Sequence, residues 1–226
     1  MSPRCLTTDH ARRAPDEYNF FHMIIGPRYK RARRLGADLF EKTMSPKFAL
    51  RAGRNPRGGT GALGYGRSDF GAQLKEKQRA RYLYGISERQ FSGYVKHAIL
   101  RRTEHDDEAL FASLETRLDN VLYRLGIAPT RQASRQMASH GHFMVNGVRV
   151  TTPSYRVSVG DVLRLRKGSE GKPLFHALSD KLRDKQSPAW LRYDLVKGEA
   201  TVVGKPKLVR TELPFNISAI LEFYRR

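Results

Sequence analysis

The residues in this chain best suited to chemistry are cations, and the chemistry they suit is the holding of phosphate. Residues 26–36 read Gly-Pro-Arg-Tyr-Lys-Arg-Ala-Arg-Arg-Leu-Gly, so Arg28, Lys30, Arg31, Arg33 and Arg34 crowd one turn and helix. No acid is interspersed among them, and like charges this close repel until an anion neutralises them. Tyr29 inside the run offers a face on which a base or sugar can stack. Residues 51–66 read as loop, with Gly53, Gly58, Gly59, Gly61, Gly64 and Gly66 set among Arg51, Arg54 and Arg57. Glycine lets a backbone approach phosphate closely, and arginine supplies a fork of donors. No Gly-Lys-Ser/Thr follows, so this is not a nucleotide-binding P-loop. A plain linker and a loop that folds against RNA both fit it, and the arginine density favours RNA. Lys75, Lys77, Arg79 and Arg81 add a further basic face. Cys5 is the sole cysteine, which excludes an intrachain disulfide and any Cys-based zinc site. No metal and no cofactor are expected.

The elements that must carry these side chains follow from pattern. Leu114, Leu118, Val121, Leu122 and Leu125 repeat at helical spacing, and Gly126 ends that helix. Pro129-Thr130 opens a short second helix that carries Arg131, Gln132, Arg135 and Gln136, with Thr130 as N-cap. Asn146-Gly147 between Met144-Val145 and Val148-Val150 predicts a tight hairpin. Upstream, Ser68 or Asp69 starts a helix that stops at Gly85, and Ser87 with Gln90 forms the capping box of the next. Polar residues 101–107 read as a hinge into this central stretch and residues 167–173 as its exit. Beyond lie a short helix over 174–185, strands over 188–195 and 200–203, and an apolar end that fits either strand or helix. Trp190 reads as an anchor tying the tail back to the body. Residues 1–22 hold no sustained apolar period and read as a disordered extension, with Met23 a second candidate start.

The 226-residue chain is long enough for one large domain or two small ones, and 39% apolar content implies small cores. Lys plus Arg number 42 against 22 Asp plus Glu, a formal charge of +20. Nucleic acid is the expected polyanion partner. No apolar run reaches the ~20 residues of a membrane span, and no signal peptide is expected.

Several motifs resemble one family, that of protein four of the small ribosomal subunit. Residues 117–121 (Arg-Leu-Asp-Asn-Val), Tyr123-Arg124, Thr130-Arg131, residues 133–136 (Ala-Ser-Arg-Gln), His140-Gly141, Val145-Asn146-Gly147 and Val159-Gly160-Asp161 are similar to its RNA-binding module. That module also occurs in RNA enzymes, so the flanks matter. Gly26-Pro27 with the basic run, Ser68-Asp69-Phe70-Gly71, residues 73–78, Tyr84-Gly85-Ile86, residues 88–91, residues 188–191 and residues 221–224 resemble the rest of the family. The likeness covers about residues 23–226.

The resemblance implies an α+β fold in which an S4-type module, residues 108–181, is inserted into a helical amino-terminal domain. That domain comprises residues 23–107 and is completed by 182–226. It implies a non-enzymatic, cytoplasmic constituent of the ribosome whose partners are small-subunit ribosomal RNA and neighbouring small-subunit proteins. Neither a membrane nor a small-molecule substrate is expected. It implies early assembly, with a multi-helix rRNA junction clamped between the lobes through shape and backbone. Arg117, Arg131, Arg135 and His140 join the contact candidates, with the amino end of the second helix adding N–H groups. Asp119 is expected to be structural. Three departures stand out: residues 55–61 lack the histidine of the family's Pro-Gly-x-His-Gly turn, the four zinc cysteines of some members are missing, and residues 1–22 have no counterpart. The first alternative is a pseudouridine synthase, which uses the Asp of an Arg-Leu-Asp triplet. Here Arg117-Leu118-Asp119 lies in the module's own first helix, and no large catalytic domain remains. The second, a helix-turn-helix DNA regulator, conflicts with basic residues spread along the whole chain.

Overall fold

Gly85 and Gly126 decide where two of the helices end. Both sit in the left-handed region, at φ 62° and 89°, and turn their N–H groups back onto carbonyls of the last turn. That conformation costs an ordinary residue roughly 1–2 kcal/mol. The computed structural model describes residues 26–36, 39–40, 43–54, 68–100, 105–176, 178, 182, 187–209 and 213–225, with the side chains of 51–54 excepted. The expected extension 1–22 and Arg57 lie outside these, as does the side chain of Arg54.

The first elements are α1 (Arg28–Leu35), α2 (Pro46–Arg54), α3 (Asp69–Tyr84), α4 (Glu88–Leu100) and α5 (Asp106–Glu115). Ser68 caps α3 by accepting from the Gly71 N–H at 3.2 Å, and Ser87 accepts from Gln90 N–H at 3.4 Å in the first turn of α4. The expected loop over 51–66 begins later than predicted, because α2 continues through Arg54. Phe91, Val95, Leu110, Phe111 and Leu114 fill the core of this helical lobe.

The apolar run from Leu114 to Leu125 is not one helix. It breaks at Thr116-Arg117, and α6 (Leu118–Leu125) starts afresh. The break is held by strand-like contacts from downstream: Leu118 N–H donates to Tyr155 O at 2.8 Å and Asp119 N–H to Pro153 O at 3.1 Å. Leu114 therefore packs in the helical lobe, while Leu118, Val121, Leu122 and Leu125 pack in a second core with Phe143, Val145 and Leu163. α7 (Arg131–Ser139) follows, with Thr130 accepting from Ala133 N–H at 3.1 Å as the sequence predicts.

A single antiparallel sheet closes the second core. Its strands are β1 (Phe143–Val145), β2 (Val148–Arg149), β3 (Val162–Leu165), β4 (Leu191–Asp194) and β5 (Glu199–Val202), in the order β2-β1-β3-β5-β4. Val145 pairs with Val148 across Asn146 and Gly147, whose φ values of 48° and 81° make the predicted two-residue turn. The β4–β5 hairpin pairs onto β3, and Leu182, Leu191, Ala200 and Val202 enter the second core. Sheet and core thus run past residue 181 to Val202. Trp190 packs against this second core, not against the helical lobe. A short helix α8 (Lys167–Glu170) leads out of β3, and most of the predicted helix over 174–185 lies outside the described residues.

The final segment resolves to a helix, α9 (Ile217–Arg225). Ile217, Ile220 and Leu221 are buried at spacings of three and one, which suits a helix face and not an alternating strand. They dock among α3, α4 and α5, so the chain's end completes the lobe its beginning started.

Candidate nucleic-acid interface

Where α7 approaches the helical lobe, a buried polar network joins the two. The Arg117 side chain, 2% exposed, places its Nε and Nη2 at 3.0 and 2.8 Å from the two Asp119 carboxylate oxygens. Its Nη1 donates to Tyr94 Oη of α4 at 2.7 Å. Arg135 reaches Asp119 Oδ2 from the other side with Nε and Nη2, at 2.9 and 2.7 Å. The same guanidinium donates to the carbonyl of Gly85 and, at 3.1 Å, to that of Tyr84, at the end of α3. A second buried carboxylate, Glu115, accepts from Tyr84 Oη at 2.7 Å, from Asn120 at 2.9 Å and from Arg124 Nε and Nη2 at 2.8 and 2.9 Å.

Burial alone would raise both carboxyls. The Arg117 and Arg135 guanidinium groups overcome it at Asp119, as Arg124 does at Glu115, and both stay below their ordinary range. Burial, then Glu115, pushes the Tyr84 hydroxyl well above its usual range. Asp119 is thus held in its ionised form at neutral pH and enclosed by its partners, which is the structural role its position suggested.

Arg131 closes this region differently. Its Nε donates to Asn120 Oδ1 at 2.9 Å, and its guanidinium carbon lies 4.3 Å above the Tyr123 ring and 5.2 Å from that of Tyr84. It lines a cleft between the lobes with Arg28, Tyr82, Tyr84, Gly85, Thr130, Gln132 and Arg135. Arg28 spans that cleft by donating to the Gln132 side chain, and Arg31 donates to the Tyr82 hydroxyl.

The remaining candidates divide by what they touch. Lys30, Arg33 and Arg34 are exposed on α1, and Lys75 is half-buried on α3. His140 is exposed at the end of α7. Arg117, by contrast, is enclosed, and each of its side-chain nitrogens donates to Asp119 or Tyr94, so it presents no face to a polyanion. Lys77 is 8% exposed, 2.8 Å from Glu88, and lies 4.5 Å over the Phe223 ring of α9. Arg81 pairs with the same Glu88 at 2.6 Å, and Arg79 pairs with Glu76 at 3.1 Å. The basic face expected on α3 is therefore largely internal cement, because Glu76 of the same helix and Glu88 of the next neutralise it. Arg124, Tyr84 and Tyr94 join the network without having been expected. Their partners lie nine or more residues away, so no local spacing announces them.

A helical lobe and an antiparallel α/β module, joined by a buried polar network and carrying exposed cations, define a basic two-lobed binding protein. Comparison with known families makes this specific. The Ribosomal protein S4/S9 N-terminal domain matches residues 23–115, and the S4 domain matches residues 116–163. The small ribosomal subunit protein uS4 of Chloroflexus aurantiacus is 42% identical over 206 residues, covering 89% of this chain and 98% of its own. That of Persephonella marina is 44% identical over 158 residues, 70% of this chain and 77% of its own, and that of Cutibacterium acnes 40% over 207, 89% and 98%. The chain belongs to the uS4 family of small ribosomal subunit proteins.

Proposed function

We propose that this chain is a structural constituent of the small ribosomal subunit, binding its ribosomal RNA by clamping a multi-helix junction early in assembly. The observation that carries the reading is the interlobe network around Asp119 and Glu115. It fixes the angle between two cation-bearing lobes, and a fixed angle is what a protein needs to hold RNA helices that otherwise repel each other. Lys30, Arg33, Arg34, Lys75, Arg131 and His140 are the contact residues of this reading, with Arg28 and Arg31 at the mouth of the cleft. In this reading Arg54 and Arg57 belong to the same surface.

The lobes divide at Thr116 and again after Val202, so that the inserted unit includes the β4–β5 hairpin and only the last segment returns to the helical lobe. Neighbouring small-subunit proteins and a cytoplasmic ribosome complete the setting. The reading includes no catalysis: Asp119, the residue an RNA-modifying enzyme would use, is sealed between two guanidinium groups. Co-sedimentation with small subunits, and saturable binding to small-subunit ribosomal RNA over unrelated RNA of equal length, is the expected result. Turnover of uridine in an RNA substrate that Asp119→Asn abolishes would overturn it.

A further inference from the structure

The open end of the sheet holds a group of cations that neither the lobe interface nor α1 accounts for. Arg149 of β2 lies across Gly141, close enough that a Cβ there would meet its Nε at 2.3 Å, and its Nη2 donates to the His140 carbonyl at 3.1 Å. Gly141 has φ +66°, so both its conformation and the arginine above it require the missing side chain. Arg166, at the exit of β3, is laid down in the same way: its Nη2 comes within 3.5 Å of where a Cβ on Gly168 would stand. Its backbone N–H donates to the His142 carbonyl at 2.8 Å, which ties the exit to the start of β1. The His142 side chain has its Nδ1 3.0 Å from Ser169 Oγ and its ring edge-on to Phe175 at 5.4 Å. The His140 ring is 5.9 Å away.

The charged groups that act most strongly on His142 have one sign. Burial lowers the imidazole's pKa, and Lys172, His140, Arg166 and Arg149 each lower it further. Among the described residues no carboxylate forms an ion pair with Arg149, Arg166 or Lys172, and Glu170 in α8 is exposed. This contrasts with α3 and α7, where Lys77, Arg79, Arg81 and Arg135 each have an acid within 3.1 Å. Cations that converge without an acid beside them raise the local potential and attract an anion from outside.

We propose that His140, His142, Arg149, Arg166 and Lys172 form a second phosphate cradle, which takes a phosphodiester of the RNA backbone at the end of the sheet remote in sequence from α1. The proposal rests on the RNA-binding reading above and adds a contact surface to it. Two guanidinium forks flattened over glycines supply planar donors, Lys172 supplies a point charge, and His142 is held ready to gain a proton when an anion reverses the field around it.

The test uses the full chain and small-subunit ribosomal RNA over a salt series. Arg166→Ala with Lys172→Ala, both exposed and so tolerated by the fold, is expected to lower the log–log salt slope by roughly 1.4–1.8, from about 0.7–0.9 per phosphate contact. In the same complex the NMR titration midpoint of the His142 ring is expected to rise on RNA binding. An unchanged slope, when Lys30→Ala/Arg33→Ala/Arg34→Ala does lower it, would overturn the cradle and leave the RNA reading standing. Absence of RNA binding by the unmodified chain would remove that underlying reading instead. Inorganic phosphate is the remaining arm. If millimolar phosphate moves the His142 midpoint as far as RNA does while the double variant keeps its slope, the site takes free anions and not the RNA backbone.

Discussion

Arg117 and Asp119 show how much of a residue's meaning lies in where its side chain turns. The triplet Arg117-Leu118-Asp119 is plain in the sequence, and a structural Asp119 was legible from it. The inward turn of Arg117 was not, because its partner besides Asp119, Tyr94, is far away in the chain. A buried pair of this kind contributes little against an apolar replacement of both partners, yet is costly to break singly. Asp119→Asn leaves Arg117 and Arg135 facing a neutral amide and is expected to destabilise the fold by about 3–5 kcal/mol, read from urea unfolding. The same carboxylates set an acid limb. Asp119 and Glu115 are held below their ordinary values in the folded chain. The unfolded chain therefore binds more protons between the two sets of values, and the stabilisation is complete above about pH 4–4.5 and lost as pH falls toward the folded values. Urea midpoints measured from pH 6 downward should fall below that point, and the fall should be shallower in Asp119→Asn.

At the scale of elements, whatever is decided locally was readable. Caps at Ser68, Ser87 and Thr130, stops at Gly85 and Gly126, and the Asn146-Gly147 turn each need only a few neighbouring residues, and each stands as the sequence predicts. Two features needed distant partners. Helical spacing from Leu114 to Leu125 does not reveal that residues 153–155 capture the backbone at 118–119 and split the run between two cores. Alternation over 188–203 reveals strands but not which sheet they join. The last segment was ambiguous for a similar reason: its helical form comes from docking. Ile220 is fully buried between α9 and the helices it completes. Ile220→Ala is expected to cost about 2–5 kcal/mol in urea unfolding through the cavity it leaves. Proteolysis should then open α9 before the sheet, since Leu118, Phe143 and Val202 belong to the other core.

For the whole molecule, net charge announces a polyanion partner without saying which cations meet it. Of the basic residues expected to bind, Arg117, Lys77, Arg79, Arg81 and Arg135 are committed to acids inside the fold. What remains on the surface is a smaller and more localised set, led by Lys30, Arg33 and Arg34 on α1. The two classes separate in a salt titration. Lys30→Ala/Arg33→Ala/Arg34→Ala should lower the log–log slope for ribosomal RNA by roughly 2–3, at about 0.7–0.9 per phosphate released, with little change in the urea midpoint. Arg81→Ala, which takes one of two cations from Glu88, should instead lower the urea midpoint and leave the slope nearly unchanged. Deleting residues 1–22 should alter neither. The outcome that would defeat this division is a slope lowered as much by Arg81→Ala as by a single substitution on α1. It would mean that the ion pairs inside the helical lobe open on the RNA and hand their cations to phosphate.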